Sequence, residues 1–332
     1  MRLHLVPGLA AGLLLLPSLR AEPRSAQAPP STTTQAPPPV TQPPFVIEAD
    51  VNVVSVTAVI FDKAGRFVPG LGTKDVELLE DGVKQEVTYF REASADSEGE
   101  RIPLSVVLVL DTSGSMVPNM RFLQEAATNF LYKLEETDTA MVVSFNESVK
   151  GSSEFTSDME RLEQSVNGLQ PWGGTSLYDA VHYSLGKVKD QPGRKAVVVF
   201  SDGADTTSSS FNDQGVVDYA KAVEATIYVI GFRGAPGLFA SSNKGFFRRL
   251  SDETGGAFFF PDKIGELNKI FGLIASELKS HYLLSYSPQR SPDGSFRTIS
   301  LRLVSPKAKD YEVRVRKGYF AMKRSRPPAR PR

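Results

Sequence analysis

The chain has 332 residues, 41% hydrophobic and 23% charged, with 38 Lys+Arg against 38 Asp+Glu and no cysteine. This is globular-protein composition, long enough for one large domain with a smaller one or with appendages. Balanced charge argues against a nucleic-acid binder, and the lack of cysteine excludes disulfides and a lipid-modified N-terminal cysteine, so an exported fold must hold by core burial or bound metal.

Arg2 and His4 precede the apolar run LVPGLAAGLLLL, which is followed by Pro17, Ser18 and the small Ala21. That layout reads as a secretory signal peptide over residues 1–21. The run is too short to span a bilayer comfortably, so no stable membrane span is expected after cleavage. The protein is expected to be exported, periplasmic or secreted, from a bacterium. Residues 22–44, EPRSAQAPPSTTTQAPPPVTQPP, carry almost no large apolar side chains and read as a disordered linker.

Residues 45–100 alternate as strands do: VNVVSVTAVIFD, a DKAGR turn, then VELLEDGVKQEVTYF with the hairpin pair Asp81-Gly82. Over 101–280 the pattern becomes strand, helix, strand, helix. Strands are predicted at LSVVLVL, TAMVVSF, KAVVVFS, ATIYVIGF and GAFFF. Helices are predicted at MRFLQEAATNFLYKL, SLYDAVHYSLGKV, VVDYAKAVEA and KIGELNKIFGLIASELKS. Near-continuous Val/Ile/Leu strands between amphipathic helices define an α/β fold, a doubly wound, mostly parallel, Rossmann-like sheet covered on both faces. Residues 281–322 return to β-structure with HYLLSYSP, FRTISLRLVSP and YEVRVRKGYF. Each flanking block is small for independent stability, so the two are expected to pair into an accessory β-sandwich with the α/β unit inserted between them. The tail 323–332, KRSRPPARPR, is basic and reads as disordered.

The chemistry gathers where strands of the α/β unit end. VVLVLDTSGSM runs a buried strand into Asp111, Ser113 and Ser115; PWGGTSLYDA sets Thr175 in a Gly-rich loop before a helix; KAVVVFSDG ends at Asp202. Ligands of such sheets bind beyond the carboxyl ends of the strands, so these five oxygen donors can converge there. Carboxylates and hydroxyls without His or Cys suit Mg²⁺, Ca²⁺ or Mn²⁺. Two carboxylates and three hydroxyls make an incomplete cage, which leaves an open position for water or for an acidic side chain of a partner. Each motif taken alone also reads plainly, as a helix N-cap or a turn.

DTSGS, GGTS and SDG, in that order, resemble the metal-ion-dependent adhesion site of the von Willebrand factor A-type domain family over roughly Pro103 to Ser280. The resemblance implies metal ligands at Asp111, Ser113, Ser115, Thr175 and Asp202, commonly for Mg²⁺, completed by a Glu or Asp of a partner protein. It further implies direct coordination by Ser113 and Ser115, with Asp111 holding the cation or its water. Thr175 and Asp202 would exchange direct for water-mediated contact as the partner arrives. The flanks are similar to those of bacterial von Willebrand factor A-related proteins known chiefly from acidobacteria.

The expected function is therefore a non-enzymatic, metal-dependent protein-binding module. The alternative is a structural or assembly subunit of the cell envelope whose metal stabilises the fold. A hydrolase would require His182 to act with Ser113 or Ser201 and Asp202, but no G-x-S-x-G elbow or phosphate-binding loop is present. A metal-dependent hydrolase lacks a clear base, for which Asp205 is the candidate. Trp172, the single tryptophan, is either a partner anchor or packed under its own loop, and Phe211, Asn212 and Asp213 follow the Ser-rich loop near the site.

Overall fold

The computed structural model describes residues 52–93, 102–202, 205–232, 243–304 and 308–322. The expected signal peptide, Pro-rich linker and basic tail lie outside the described residues. In the first flank the alternating runs form β1 (Val54–Asp62), β2 (Val76–Glu80), β3 (Val83–Gln85) and β4 (Val87–Ala93). Asp81 and Gly82 take φ of 47° and 79°, the left-handed pair that a tight two-residue hairpin needs between β2 and β3.

The α/β unit follows as β5 (Leu104–Asp111), α1 (Met120–Leu131), β6 (Thr139–Phe145), β7 (Val149–Gly151), α2 (Met159–Asn167) and α3 (Leu177–Val188). It continues through β8 (Arg194–Ser201), α4 (Asp213–Val223), β9 (Thr226–Gly231), α5 (Lys244–Thr254), β10 (Phe258–Phe259) and α6 (Leu267–Lys279). Its sheet runs β10-β9-β8-β5-β6-β7, parallel except for the short edge strand β7, which pairs antiparallel with β6. Every residue of β5 is buried because the strand is covered on both faces. Leu104, Val106, Leu108 and Leu110 pack under α1, α2 and α6, while Val107 and Val109 face α3, α4 and α5. Two helices and one strand here are additional to those read from the sequence: α2, α5 and β7.

This winding makes the site. β5 leads to α1 on one face, whereas its neighbour β8 leads to α4 on the other. Adjacent strands whose connections part to opposite faces leave a crevice at their carboxyl ends. Asp111 ends β5 and Asp202 follows β8, so both stand at its floor.

The last block supplies β11 (His281–Tyr286), β12 (Phe296–Leu303), β13 (Tyr311–Val315) and β14 (Gly318–Phe320). The flanking blocks interleave strand by strand: one sheet runs β13-β1-β11-β4 and the other β14-β12-β2-β3. Val56, Ile60 and Leu78 from the first block share one core with Tyr282, Leu284 and Ile299 from the last. The expected sandwich of the two flanks is thus the observed arrangement. It encloses a buried charge, Glu80, which accepts hydrogen bonds from Tyr286 (2.7 Å) and Tyr319 (2.8 Å) and faces the Arg297 guanidinium at 3.3 Å. Among the described residues, no helix is long and apolar enough to cross a membrane.

Candidate functional site

The crevice between β5 and β8 is built from three turns. The first follows β5. Asp111 is fully buried, and its Oδ1 accepts the Ser113 backbone N–H at 2.8 Å, closing an Asx turn. A 3-10 turn, Gly114–Met116, then swings Ser115 outward while buried Met116 pins the turn to the core. Thr112 donates through both its N–H and its hydroxyl to the Phe145 carbonyl, at 2.7 and 2.9 Å, which ties this turn to the end of β6.

The second turn carries Trp172, Gly173, Gly174 and Thr175. Trp172 N–H donates to Thr112 O at 2.9 Å, and Gly114 N–H to Gly173 O at 3.0 Å, so this loop lies edge to edge with the first turn. Gly173 has φ +70°, and a Cβ there would stand 2.9 Å from the Glu147 side chain, so backbone conformation and space both select glycine. The third turn follows β8, where Ser201 donates its hydroxyl to Asp111 Oδ2 at 2.6 Å and Asp202 faces Ser115.

Four of the five expected residues form one hydrogen-bonded chain. Ser113 Oγ lies 3.0 Å from Ser115 Oγ, and Ser115 Oγ donates to Asp202 Oδ1 at 2.8 Å. The chain returns through Ser201, next to Asp202, to Asp111. Thr175 is brought to the same edge through its backbone: its N–H donates to Thr206 Oγ1 at 2.9 Å and its carbonyl accepts from Thr206 N–H at 2.8 Å. The plain capping explanation for these hydroxyls is not realised. The 3-10 turn, α1 and α3 begin at Ser113, Asn119 and Ser176, and none of these side chains caps its own helix.

Electrostatics give the cluster its direction. Burial, reinforced by the charge of Asp202, pushes the Asp111 carboxyl up to about 6, against the hydrogen bonds from Ser113 and Ser201. Burial also raises Asp202, opposed by its bond from Ser115. No ion pair among the described residues joins either carboxylate to Lys, Arg or His, and Asp202 Oδ2 is buried with no hydrogen-bond partner. Two neighbouring carboxylates out of water without a counter-charge are costly as anions, and an orphaned carboxylate oxygen facing hydroxyls is what a hard cation would satisfy. Among the described residues no three His, Cys, Asp or Glu side chains come together. A cation here therefore has to rely on hydroxyls and water beyond its two carboxylates. The residues fit an oxygen-bound divalent cation, which Asp111, Asp202, Ser113 and Ser115 would hold, with Thr175 on the adjoining Gly-rich loop.

The rim differs from the floor. Trp172 is 53% and Val117 62% exposed, both within a turn of the cluster, so the tryptophan projects from its loop rather than packing beneath it. His182 lies on α3 with its ring stacked between Phe211, 3.5 Å away, and Tyr219, 4.4 Å away. Burial holds its pKa below the ordinary histidine value. Ser201, offered by the sequence as a nucleophile, spends its hydroxyl on Asp111. Asp205 accepts the Tyr178 N–H at 3.1 Å and the Ser208 N–H at 3.3 Å. Glu147, whose Oε1 accepts the Gly174 N–H at 3.3 Å, and Thr206 were not singled out from the sequence. Both act on backbone groups across the fold, and no local pattern marks such a role.

Comparison with known proteins adds the following. The sequence model of the von Willebrand factor type A domain matches residues 106–204. A protein of Synechocystis sp., described as uncharacterized, is 25% identical over 145 residues, 42% of this chain and 34% of that protein, so the match spans about a third of that curated relative's length. Among solved structures, the vWF domain of the type V pili tip protein Mfa5 from Porphyromonas gingivalis is similar at 15% identity, covering 54% of this chain and 96% of that one, with a TM-score of 0.48. A von Willebrand factor type A protein from Catenulispora acidiphila is similar at 12% identity, covering 80% and 73%, with a TM-score of 0.47.

Proposed function

Starting from a chain that carries a von Willebrand factor type A domain, we propose that it is a protein-binding module whose contact is made through a divalent cation, Mg²⁺ first with Ca²⁺ or Mn²⁺ as alternatives. The observation that carries this reading is the pair of buried carboxylates that meet no counter-charge among the described residues, with Asp202 Oδ2 buried and without a hydrogen-bond partner there, beside the Ser115 hydroxyl. Asp111 and Asp202 supply the charge that holds the cation. Ser113 and Ser115 supply neutral donors, so two carboxylates leave the bound ion attractive to a further anion. When bound, the cation supplies an electrophilic point for an Asp or Glu carboxylate of a partner protein.

The chain's own residues do the rest. The Asx turn and the Ser201 hydroxyl fix both oxygens of Asp111, and Thr112 fixes its turn against β6. Exposed Trp172 beside this centre offers a large rigid surface on which a partner can anchor. We place the protein outside the cytoplasm of a bacterium, on the strength of the leader-like start of its sequence.

Calorimetric titration with MgCl₂, wild type beside Asp111→Ala, tests the reading: saturable binding in the wild type alone is expected. Equal binding by both chains, or none by the wild type, overturns it. The full burial of Asp111 also favours a second reading, an envelope subunit in which the cation chiefly stabilises the fold. Chelation separates the two. Removing either cation lowers the melting temperature, but removing a bridging one also abolishes partner capture by the still-folded chain, whereas removing a merely stabilising one leaves capture intact.

A further inference from the structure

Thr175 and Asp202 belong to different turns, and no hydrogen bond joins their side chains directly. The segment 205–211, which begins three residues after Asp202, is hydrogen-bonded to Thr175. Its composition, Asp-Thr-Thr-Ser-Ser-Ser-Phe, offers no apolar anchor before Phe211, so polar groups must fix it. Two carboxylates do so reciprocally. Asp205 Oδ1 accepts the Tyr178 N–H at 3.1 Å, and its Oδ2 accepts the Ser208 N–H at 3.3 Å. Asp179 Oδ2 accepts the Ser209 N–H at 3.1 Å, and its Oδ1 accepts those of Ser210 and Phe211 at 3.3 and 3.1 Å. The Asp179 N–H in turn donates to Ser208 Oγ at 3.1 Å.

The first-turn N–H groups of a helix have no intrahelical partner and need one from outside. Ser176 does not cap α3; its hydroxyl lies 2.8 Å from Thr207 Oγ1 instead. Asp205 and Ser208 therefore take the Tyr178 and Asp179 N–H groups of α3 from a neighbouring segment. The same segment places Thr206 and Thr207 N–H on the Thr175 carbonyl, at 2.8 and 3.1 Å. Asp205 and Asp179 direct their oxygens to N–H and hydroxyl groups of this loop and helix end, and no hydrogen bond links either to the Asp111–Ser113–Ser115–Asp202 chain.

From this we infer that Asp179 and Asp205 are positioning residues of the cation site. They clamp the segment 205–211 onto the start of α3, so that Thr175 and Asp202 present their oxygens as one preformed unit. The inference rests on the cation reading given above. A site built largely from neutral hydroxyls depends on such pre-arrangement, because weak ligands cannot pull a loose loop into place.

The test is calorimetric titration of the full chain with MgCl₂, comparing wild type, Asp179→Asn, Asp205→Asn and Asp158→Asn. Asp158 caps α2 by accepting the Arg161 N–H, away from the crevice, and controls for the loss of a carboxylate cap as such. Weakening of Mg²⁺ binding by about tenfold is expected in the two crevice variants, with unchanged stoichiometry and no change in Asp158→Asn. Affinities of Asp179→Asn and Asp205→Asn indistinguishable from wild type overturn the inference and leave the cation site standing. So does equal weakening in Asp158→Asn. A wild type that binds no Mg²⁺ removes the cation reading and this inference with it. Coupling is reciprocal, so saturating Mg²⁺ should slow amide exchange at Tyr178 and Ser208–Phe211 of the wild type. If the crevice variants do not fold, this measurement decides: unchanged exchange at those amides overturns the clamp.

Discussion

Replacing Asp111 by Asn should make the metal-free protein more stable at neutral pH, although it removes a charged hydrogen-bonding group from the heart of the fold. Asp111 is fully buried and its carboxyl is raised to about 6, from 3.8 for an unperturbed Asp, chiefly by burial. Between those values the folded state holds a proton that the unfolded state has released, so stability falls as pH rises through the window. A displacement of about two pKa units corresponds to a loss of about 3 kcal/mol, complete above about pH 6. Asn keeps the shape and one acceptor for the Ser113 N–H. It obliges the Ser201 hydroxyl, now 2.6 Å from Oδ2, to turn round and accept, at a cost of about 1 kcal/mol. Net stabilisation of about 2 kcal/mol at pH 7.5 should remain. Urea unfolding in EDTA at pH 4.5 and pH 7.5 measures it, and the difference between the two chains cancels the other titrating groups. Added Mg²⁺ at pH 7.5 should reverse the order by stabilising the wild type alone, by about 2.7 kcal/mol at a hundredfold excess over its Kd. A stability difference between the chains that is the same at both pH values would refute the argument that Asp111 is held as an uncompensated buried carboxylate.

Ser201→Ala removes the hydroxyl that orients Asp111 and should weaken Mg²⁺ binding by about tenfold with little change in fold, read by calorimetry beside circular dichroism; unchanged affinity would show that Asp111 is held without it. Arg297→Met in the sandwich strips buried Glu80 of its closest guanidinium, 3.3 Å away, and leaves it on the Tyr286 and Tyr319 hydroxyls and the half-exposed Arg290 guanidinium at 3.4 Å. Denaturant unfolding should register a loss of about 3 kcal/mol, and a loss below about 1 kcal/mol would mean that the tyrosines and Arg290 suffice. Deleting residues 52–93 removes β1 and β4 from both sides of β11. Limited proteolysis should then cut within 281–322, whereas unaltered resistance there would contradict the interleaved sheets.

The α/β core was legible because its strands announce themselves. TAMVVSF is β6 residue for residue, and LSVVLVL is β5 but for its closing aspartate. Buried on both faces, such strands need no alternation, only an unbroken apolar run between polar ends. The two helices not read there have other signatures. α2 fully buries only Leu162 and Val166, four residues apart, with Met159 partly buried at its start and polar residues between. α5 closes its apolar face with Ser251 and Thr254, whose hydroxyls bond back to Phe247 and Leu250 carbonyls at 2.9 Å and so pass as core while reading as loop. The hairpin pair Asp81-Gly82 was readable because only that backbone geometry demands two left-handed residues in succession. The order in which β1 takes β11 and β13 as neighbours was not, since strands separated by some two hundred residues carry no local mark of their pairing.

The site divides along the same line. Asp111, Ser113, Ser115 and Asp202 stand where strands end, and strand ends are visible in sequence; their convergence follows from a winding that sends β5 and β8 to opposite faces. Ser201, Asp205 and Asp179 act at one remove, through a hydroxyl donated across 90 residues or a carboxylate capping a helix from a neighbouring loop. Such support depends on the tertiary path alone, so it cannot be read from spacing. Yet it governs the chemistry: the floor of the crevice holds two carboxylates that burial makes reluctant anions, and only groups fixed from behind keep them from turning to water. The crevice is therefore arranged at the expense of local stability, and an oxygen-loving cation is the partner that would remove the cost.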